Sequence, residues 1–407
     1  MKCGLLGKTL GHSFSPEIHS KFGGYGYVLY ERSEDELEEF IRNGDWDGLN
    51  VTIPYKKTVM KYLDEVSETA AAVGSVNTIV RRNGRLYGDN TDVFGFTSLV
   101  RKSGIDVSGM KALVLGSGGA SVAVCHALKS MNAKPVVISR SGDNNYSNIF
   151  IHKDADIIVN TTPVGMYPNN GESLLSLEGF DSLKAVYDII YNPLKTSLLL
   201  EAASRQIPAY DGLYMLVCQA SKSSALFKGA GVSEEICLKV YNELYMKETN
   251  IVLTGMPGSG KSTVGRELSS ITGRLLIDSD EEILKKTGKT PAELINNEGE
   301  EAFREIETGV LTELGKKSGI ILSTGGGCVT KEINYNLLKQ NGVIVRLVRD
   351  ISLLATDDRP LSCGNLEELA KKREPFYERF SDITVNNDGL PNEVAQRILS
   401  KLNKISQ

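Results

Sequence analysis

A chain of 407 residues, 41% hydrophobic and 24% charged, has the balance of a folded globular protein and not of a disordered one. Its net charge of −5 gives no general attraction to nucleic acid or to an anionic membrane surface, so a small-molecule enzyme is the expected class. The length predicts two or three domains.

Six cysteines are present without a C-x-x-C pair, and there are only four histidines. Neither a zinc site nor a disulfide framework is expected from them. The opening stretch has no long apolar core, so no secretory leader is read there. A reduced, cytoplasmic protein is the expectation.

In chain order, Cys3–Gly7 reads as a strand and Pro16–Gly23 as a helix with proline in its first turn. Tyr27–Tyr30 reads as a strand, Glu34–Arg42 as a helix, Gly48–Thr52 as a strand, and Pro54 as the start of another helix. Thr78–Arg82 and Arg85–Tyr87 flank Asn83-Gly84, a strong hairpin turn. Then comes an apolar run ending in Gly116-Ser117-Gly118-Gly119-Ala120-Ser121, followed by a helical pattern over Val122–Met131. Val136–Ser139, Asp156–Val159 and Ala185–Ile189 read as further strands, Ser141–Asn148 as a loop, and Gly212–Phe227 and Ser233–Met246 as helices. After Lys247–Thr249 a second apolar run meets Gly255-Met-Pro-Gly258-Ser259-Gly260-Lys261-Ser262, with a helical pattern over Thr263–Ile271. Two separate strand–glycine loop–helix units predict an α/β chain with two nucleotide-binding folds.

The second loop fits G-x-x-x-x-G-K-[ST]. Its glycines let backbone N–H groups converge on a triphosphate, Lys261 adds a point charge, and the Ser262 hydroxyl can ligate Mg²⁺. Asp278 and Asp280 close the strand reading Leu275–Ile277; alternate strand residues share a face, so both carboxylates are expected in one cleft. Arg304 follows in Gly299-Glu-Glu-Ala-Phe-Arg304, then Gly325-Gly326-Gly327, Asp357-Asp-Arg359-Pro360 and Arg373-Glu-Pro-Phe-Tyr377. Alone, Arg304 reads equally as a helix ion pair with a neighbouring glutamate.

In this order the motifs resemble shikimate kinase across residues 250–407, with a P-loop domain like that of nucleoside-monophosphate kinases. The resemblance implies that Asp280, Arg304, Gly326 and Arg373 surround shikimate. Asp280 and Lys261 would be catalytic, and Ser262 with Asp278 would serve Mg²⁺. Gly258, Ser259, Gly260, Lys261, Ser262, Thr263 and a lid residue, Arg359, would hold ATP. Ala355 and Thr356 stand where relatives often carry another basic residue.

The first loop only approximates G-x-G-x-x-G. Arg140 stands where an NAD-binding fold usually places an acid, and a guanidinium there suits the 2′-phosphate of NADP. The remaining motifs carry more weight: Gly11-His-Ser13-Phe-Ser15-Pro16, Asn50-Val-Thr52-Ile-Pro-Tyr-Lys56, Gly74-Ser-Val-Asn77 and Gly88-Asp-Asn90-Thr-Asp92. Later come Asn160-Thr-Thr-Pro, Tyr187-Asp-Ile-Ile-Tyr191 and Asp211-Gly212 through Gln219. Over residues 1 to about 246 these resemble shikimate dehydrogenase.

That resemblance implies a shikimate site of Ser13, Ser15, Thr52, Asn77, Asp92, Tyr191 and Gln219, with Lys56 as acid–base residue paired to Asp92. NADP(H) would meet Gly116, Ser117, Gly118, Gly119, Ala120, Arg140, Ile189, Gly212 and Glu68. For Lys56 the competing reading is a solvated helix lysine; for Asp92 it is a helix N-cap. The expected organisation is a substrate domain over 1–93 completed by the helices of 212–246, a Rossmann-like NADP domain over 94–211, and a kinase domain over 250–407. The expected activity is reduction of 3-dehydroshikimate with NADPH, then phosphorylation of shikimate with MgATP. An NAD-using quinate/shikimate dehydrogenase fused to the same kinase, and a regulatory protein with one inactive half, stay open on the residues alone.

Overall fold

A computed structural model describes residues 1–11, 13–354 and 366–405. The chain divides into two compact units, one of Met1–Val164, Ser173–Tyr191 and Glu201–Glu243, the other of Gly165–Glu172, Asn192–Leu200 and Leu244–Gln407.

In the first unit, strands β1 (Lys2–Gly7), β2 (Gly26–Glu31), β3 (Gly48–Val51), β4 (Glu65–Val66), β5 (Thr78–Arg82) and β6 (Arg85–Asp89) form one sheet in the order β2-β1-β3-β5-β6-β4. β1 runs parallel to β2 and β3, and β5 turns antiparallel to β3 and β6. The expected turn joins β5 to β6: Asn83 and Gly84 have φ of 50° and 79°, and Arg82 pairs with Arg85. Glycine and asparagine are the residues that tolerate this left-handed backbone, so the pair sets the register of the hairpin.

The second sheet of this unit is wholly parallel, with β7 (Lys111–Leu115), β8 (Lys134–Ile138), β9 (Ile157–Asn160), β10 (Ala185–Asp188) and β11 (Ala209–Tyr210) in the order β11-β10-β9-β7-β8. Leu113, Val114 and Leu115 of β7 and all three apolar residues Ile157, Ile158 and Val159 of β9 are fully buried, the continuous apolar run that a sheet covered on both faces requires. β7 lies at the point where strand order reverses, so the glycine loop opens at a crevice beyond its carboxyl end.

Two helices tie this unit together. Asp92–Ser103 packs along Leu213–Lys228, with Gly95 so close to Met215 that an added Cβ would stand 2.6 Å from its carbonyl oxygen. Phe96, fully buried one residue on, meets the Tyr187 ring of β10 edge-on at 6.0 Å.

The second unit has one parallel sheet of β12 (Asn250–Thr254), β13 (Leu276–Asp278), β14 (Ile321–Ser323), β15 (Gly342–Val348) and β16 (Ile383–Asn386), ordered β13-β14-β12-β15-β16. Every residue of β12 is buried and the phosphate-type loop follows it directly, so that loop too emerges from the centre of a sheet. Apolar cores line both faces, one on Phe303, Leu311, Leu322 and Tyr377, the other on Val264, Leu268, Val394 and Ile398.

Three expectations are corrected. Pro54 starts no α-helix: residues after it turn and then form a 3₁₀ segment, Thr58–Tyr62, closed by Met60 N–H to Lys57 O and Leu63 N–H to Met60 O. β-branched Thr58 and Val59 crowd a regular helix, and the tighter turn lets Val59 reach the core. The helix after the first glycine loop starts at Gly119, three residues earlier than its apolar pattern suggests, because Gly119 and Ala120 are helical without burying a side chain. The strand after Leu275 ends at Asp278, which caps the helix Ser279–Thr287; Asp280 lies in that helix and not on the strand. Among the described residues no helix is long and apolar enough to cross a membrane, and the five described cysteines are free.

Truncating Phe96→Ala removes a fully buried ring between helix and sheet. It is expected to destabilise the first unit by about 3–5 kcal/mol, read from the urea midpoint; a loss below about 1 kcal/mol would contradict this packing.

Candidate active sites

In the first unit a cavity of about 300 Å³ opens between the two sheets. Lining it are all seven residues expected at the substrate, Ser13, Ser15, Thr52, Asn77, Asp92, Tyr191 and Gln219, together with Lys56, Ala120, Ile189 and Gly212. Lys56 Nζ lies 2.7 Å from Asp92 Oδ2. The lysine side chain is a quarter exposed and the carboxylate nearly enclosed, at 25% and 6%. Lys57, its neighbour, points to solvent.

Asp92 is not the N-cap of its helix; Thr91 is, without a side-chain cap bond, and Asp92 occupies the first helical position. Its carboxylate is therefore spent on other donors. Asn77 Nδ2 donates to Oδ1 at 2.9 Å, and Asn77 is itself oriented by Thr91, whose N–H and hydroxyl donate to Asn77 Oδ1 at 2.8 and 3.2 Å. The pair is thus held from both sides. Apart from Lys56 and Asp92 the lining is uncharged: hydroxyls, amides and the neutral ring of His19 stand among apolar side chains such as Leu5, Ile189 and Met215. Burial lifts the Tyr191 phenol above its ordinary range, so it stays protonated beside Phe14.

Next to this cavity runs the glycine loop. Gly116 has φ of 105° and an added Cβ would stand 2.8 Å from Thr162, so the turn requires glycine. Gly118 and Gly119 differ: a Cβ there would meet nothing within 4 Å. Gly118 caps the helix Gly119–Ser130 with no side-chain bond, so no cap side chain occupies its first-turn N–H groups. That arrangement fits a pyrophosphate at a helix N-terminus. Gly212 is locked against Ile189, whose carbonyl oxygen would stand 2.0 Å from a Cβ, so the two cofactor-side positions touch. Arg140 is exposed just past β8, near Tyr146, and Glu68 is the exposed first residue of the helix Glu68–Val73, which packs on Gly119–Ser130. Gly116, Ser117, Gly118, Gly119, Arg140 and Glu68 lie outside the lining of the cavity itself.

The second unit has a cavity of about 390 Å³ lined by Gly258, Gly260, Lys261, Ser262, Thr263, Asp278, Asp280 and Gly326. Ser323 and Thr324, which open the motif Ser323-Thr-Gly325-Gly326-Gly327, line it as well, and so do Arg266 and Arg349, which the motifs did not single out. Gly255, Gly258 and Gly260 have φ of 144°, 77° and 90°, backbone that other residues rarely adopt. Lys261 Nζ donates to the carbonyls of Gly255 and Met256, both at 3.0 Å, curling over the loop. Ser259 Oγ is buried with no hydrogen-bond partner among the described residues. A loop of positive-φ glycines with a buried hydroxyl that has no partner among the described residues fits a polyphosphate.

Ser262 Oγ donates to Asp278 Oδ2 at 2.9 Å, and the other carboxylate oxygen caps Asp280 N–H at 3.0 Å. A cap, and not strand alternation, brings Asp278 and Asp280 to one cleft. The hydroxyl and carboxylate are hard oxygen donors that suit a magnesium ion shared with phosphates.

Arg304 lines no part of that cavity, yet it is 5% exposed and lies against the backbone of Gly327, where a Cβ would sit 2.0 Å from Nη2. Its Nη1 donates to Glu307 at 2.7 Å and its Nη2 to Glu300 at 3.1 Å. The helix ion pair is real, but it is a buried one. Burial works against the Arg304 charge, and the two glutamates together outweigh it, holding the guanidinium above its ordinary value. For fully buried Glu307 burial wins over the attraction of Arg304, and its carboxyl is pushed up to about 7. Arg373 is also buried, close enough to act on Glu307 and to hydrogen-bond Tyr377. Tyr377 donates to the Gly326 carbonyl, so the glycine run is held from the side of the Leu366–Phe380 helix. Arg359 lies outside the described residues. Glu307 was the main residue missed; its place three residues after Arg304 on one helix was the available signal.

The family profile of the shikimate dehydrogenase substrate binding domain matches residues 5–79, and that of shikimate kinase matches residues 257–403. The shikimate dehydrogenase (NADP(+)) of Clostridium perfringens strain SM101 is 36% identical over 266 residues, 59% of this chain and 97% of that protein. The chain belongs to the shikimate dehydrogenase family and carries a shikimate kinase domain. Among solved structures, a chorismate mutase/shikimate 5-dehydrogenase fusion protein from Clostridium acetobutylicum superposes with a TM-score of 0.58 at 35% identity, covering 60% of this chain and 96% of its own. The Thermus thermophilus shikimate 5-dehydrogenase in complex with NADP(H) and shikimate gives 0.55 at 29% identity, over 60% and 99%. The chain therefore combines an oxidoreductase with a phosphotransferase, and the two cavities lie one in each of these regions.

Glu307 supplies a pH test of the kinase region. Its ordinary value is 4.5 and its folded value about 7, so its stabilising contribution is complete below 4.5 and lost as pH rises through 7. Glu307→Gln has no such titration. The unfolding midpoint of the kinase region, followed from pH 5 to 8, should fall less steeply with pH than in the unmodified chain; equal slopes would contradict the assigned burial.

Proposed function

We propose that the chain reduces 3-dehydroshikimate to shikimate with NADPH and then phosphorylates the shikimate 3-hydroxyl with ATP and Mg²⁺. The observation that carries the first assignment is the Lys56–Asp92 pair, 2.7 Å apart at the wall of an otherwise uncharged cavity beside a bare glycine loop. The first and later relatives carry the same activity in their names.

NADPH, when bound, would supply the hydride that reduces the ketone carbon. The oxygen of that carbon then needs a proton, and the Lys56 ammonium stands where it can give one. Asp92 keeps the lysine aimed, and Asn77 keeps Asp92 aimed. Ser13, Ser15, Thr52, Tyr191 and Gln219 offer hydroxyls and an amide to the ring oxygens and the carboxylate. Gly116–Ala120 would hold the pyrophosphate, Ile189 and Gly212 the nicotinamide end, Glu68 would contact the cofactor, and Arg140 would hold the 2′-phosphate. Residues 1–93 with the helices of 212–246 act as the substrate domain, 94–211 as the NADP domain and 250–407 as the kinase.

In the kinase, Gly258–Thr263 hold the ATP phosphates, with Arg359 as a further contact, and Ser262 with Asp278 would hold Mg²⁺. Asp280 accepts a hydrogen bond from the attacking hydroxyl. Arg304, Gly326 and Arg373 bind the substrate carboxylate, with Glu307 fixing the Arg304 guanidinium. Phosphoryl transfer depends on such placement and on positive charge more than on covalent help.

Two substitutions test the pair of sites. Lys56→Ala should cost about 10²–10⁴ in the dehydrogenase kcat and leave the kinase rate as it was. Lys261→Ala should cost about 10²–10³ in the kinase and spare the dehydrogenase. Either change leaving both rates intact would overturn the assignment. Removing the cation in Arg140→Ala should cut the preference for NADPH over NADH by roughly 10- to 100-fold, the worth of one charge-assisted bond. An unchanged ratio of specificity constants would remove Arg140 from the cofactor site.

A further inference from the structure

His19 is buried at 1% exposure on the wall of the dehydrogenase cavity, and the mechanism above makes no use of it. It lies on the helix Ser15–Phe22, one turn beyond Ser15. Its ring stacks on Tyr27 with centroids 4.0 Å apart and planes 8° from parallel, and Phe227 stacks at 5.9 Å. Nδ1 is 2.6 Å from the Tyr25 hydroxyl, and the ring also hydrogen-bonds the side chain of Asn50.

The proton positions follow from these partners. Burial depresses the imidazole to about 3, so it is neutral and carries one N–H. Burial raises the Tyr25 phenol to about 12, so Tyr25 keeps its proton and can donate it to Nδ1 when the ring hydrogen is on Nε2. The Asn50 side chain is the other partner of the ring, and an Nε2–H would donate to its oxygen. Tyr27 donates to the same oxygen at 2.9 Å, filling its second lone pair. The Asn50 amide can therefore face only one way. Its Nδ2 points to Ser223 Oγ at 2.8 Å and Thr78 Oγ1 at 3.1 Å, and Thr78 donates to Asn77 Oδ1 at 3.1 Å. Asn77 holds Asp92, and Asp92 holds Lys56.

We propose that His19 is a positioning residue of the dehydrogenase: as the Nε2–H tautomer it fixes the Asn50 amide, and through Thr78 and Asn77 it keeps Asp92 and Lys56 in register. The proposal rests on the assignment of Lys56 and Asp92 as the reacting pair. A histidine serving only to fill space would be replaced equally well by phenylalanine, which keeps the stack on Tyr27 and loses both ring nitrogens.

The test uses the full chain and steady-state oxidation of shikimate by NADP⁺. His19→Phe should lower kcat by about 10- to 100-fold, the scale of a small misplacement of a reacting group, while KM for shikimate moves less than about threefold. His19→Gln, whose amide N–H can reach Asn50, should recover most of the lost kcat. The kinase rate should not change in either variant. Nitrogen NMR of the unmodified protein should assign His19 to the Nε2–H tautomer. A wild-type kcat in His19→Phe, no recovery in His19→Gln, or an Nδ1–H tautomer would overturn the proposal even if Lys56→Ala is inactive as expected. Activity surviving in Lys56→Ala would instead overturn the assignment of the reacting pair, and this inference with it.

Discussion

Both cavities depend on one constraint: at the carboxyl end of a central parallel strand the backbone must be left bare. β7 and β12 are each buried in the middle of a sheet, and each feeds a turn that begins on a positive-φ glycine, Gly116 or Gly255, before a helix begins. Gly116 and Gly255 are pressed against neighbouring chain, where a Cβ would come within 2.8 Å of Thr162 and 2.4 Å of the Leu347 carbonyl. Gly118 and Gly119 face space instead. Tight packing on one side and freedom from side chains on the other suit an anion at a helix N-terminus, and in the second unit Lys261 adds a cation there.

The two units solve the handling of charge differently. In the dehydrogenase a single lysine–carboxylate pair stands among hydroxyls and amides, and each polar group finds a partner on the next. Such a chain is stiff because each hydrogen bond removes an alternative orientation from its neighbour. In the kinase the charges are many and buried: Arg304, Arg373 and Glu307 sit together behind the glycine run. Glu307 is poorly solvated enough to lose much of its preference for ionisation, yet it steers Arg304 against Gly327. Burying such a pair gains little stability by itself, so its worth lies in orientation.

Much of the fold was legible because its signals are local. The Asn83-Gly84 turn, the two apolar runs before glycine loops and the helix Leu213–Lys228 all follow from short-range pattern. Misreadings arose where a local pattern had two outcomes. Pro54 suits a helix start and a turn alike, and Asp278-Ser-Asp280 suits a strand end and a helix cap alike. The residues missed at the sites, His19, Asn50 and Glu307, are partners of motif residues, and their importance arises only from what folds against them. Asn50 stands inside a recognised motif, but its link to Ser223, 173 positions away, leaves no trace in spacing.

By itself, then, the chain's order of residues determined two nucleotide-type units, the chemistry of each and most of the side chains that face the two cavities. Those features depend on residue type and short spacing, which a linear text preserves. Tertiary structure alone decided that Asp92 holds Lys56 instead of capping a helix, that Arg304 is buried with Glu307, and that His19 is enclosed between Tyr25, Tyr27 and Phe227. Each of these depends on burial and on partners distant in sequence, and only a folded core sets the solvent, the neighbours and the geometry that choose between them.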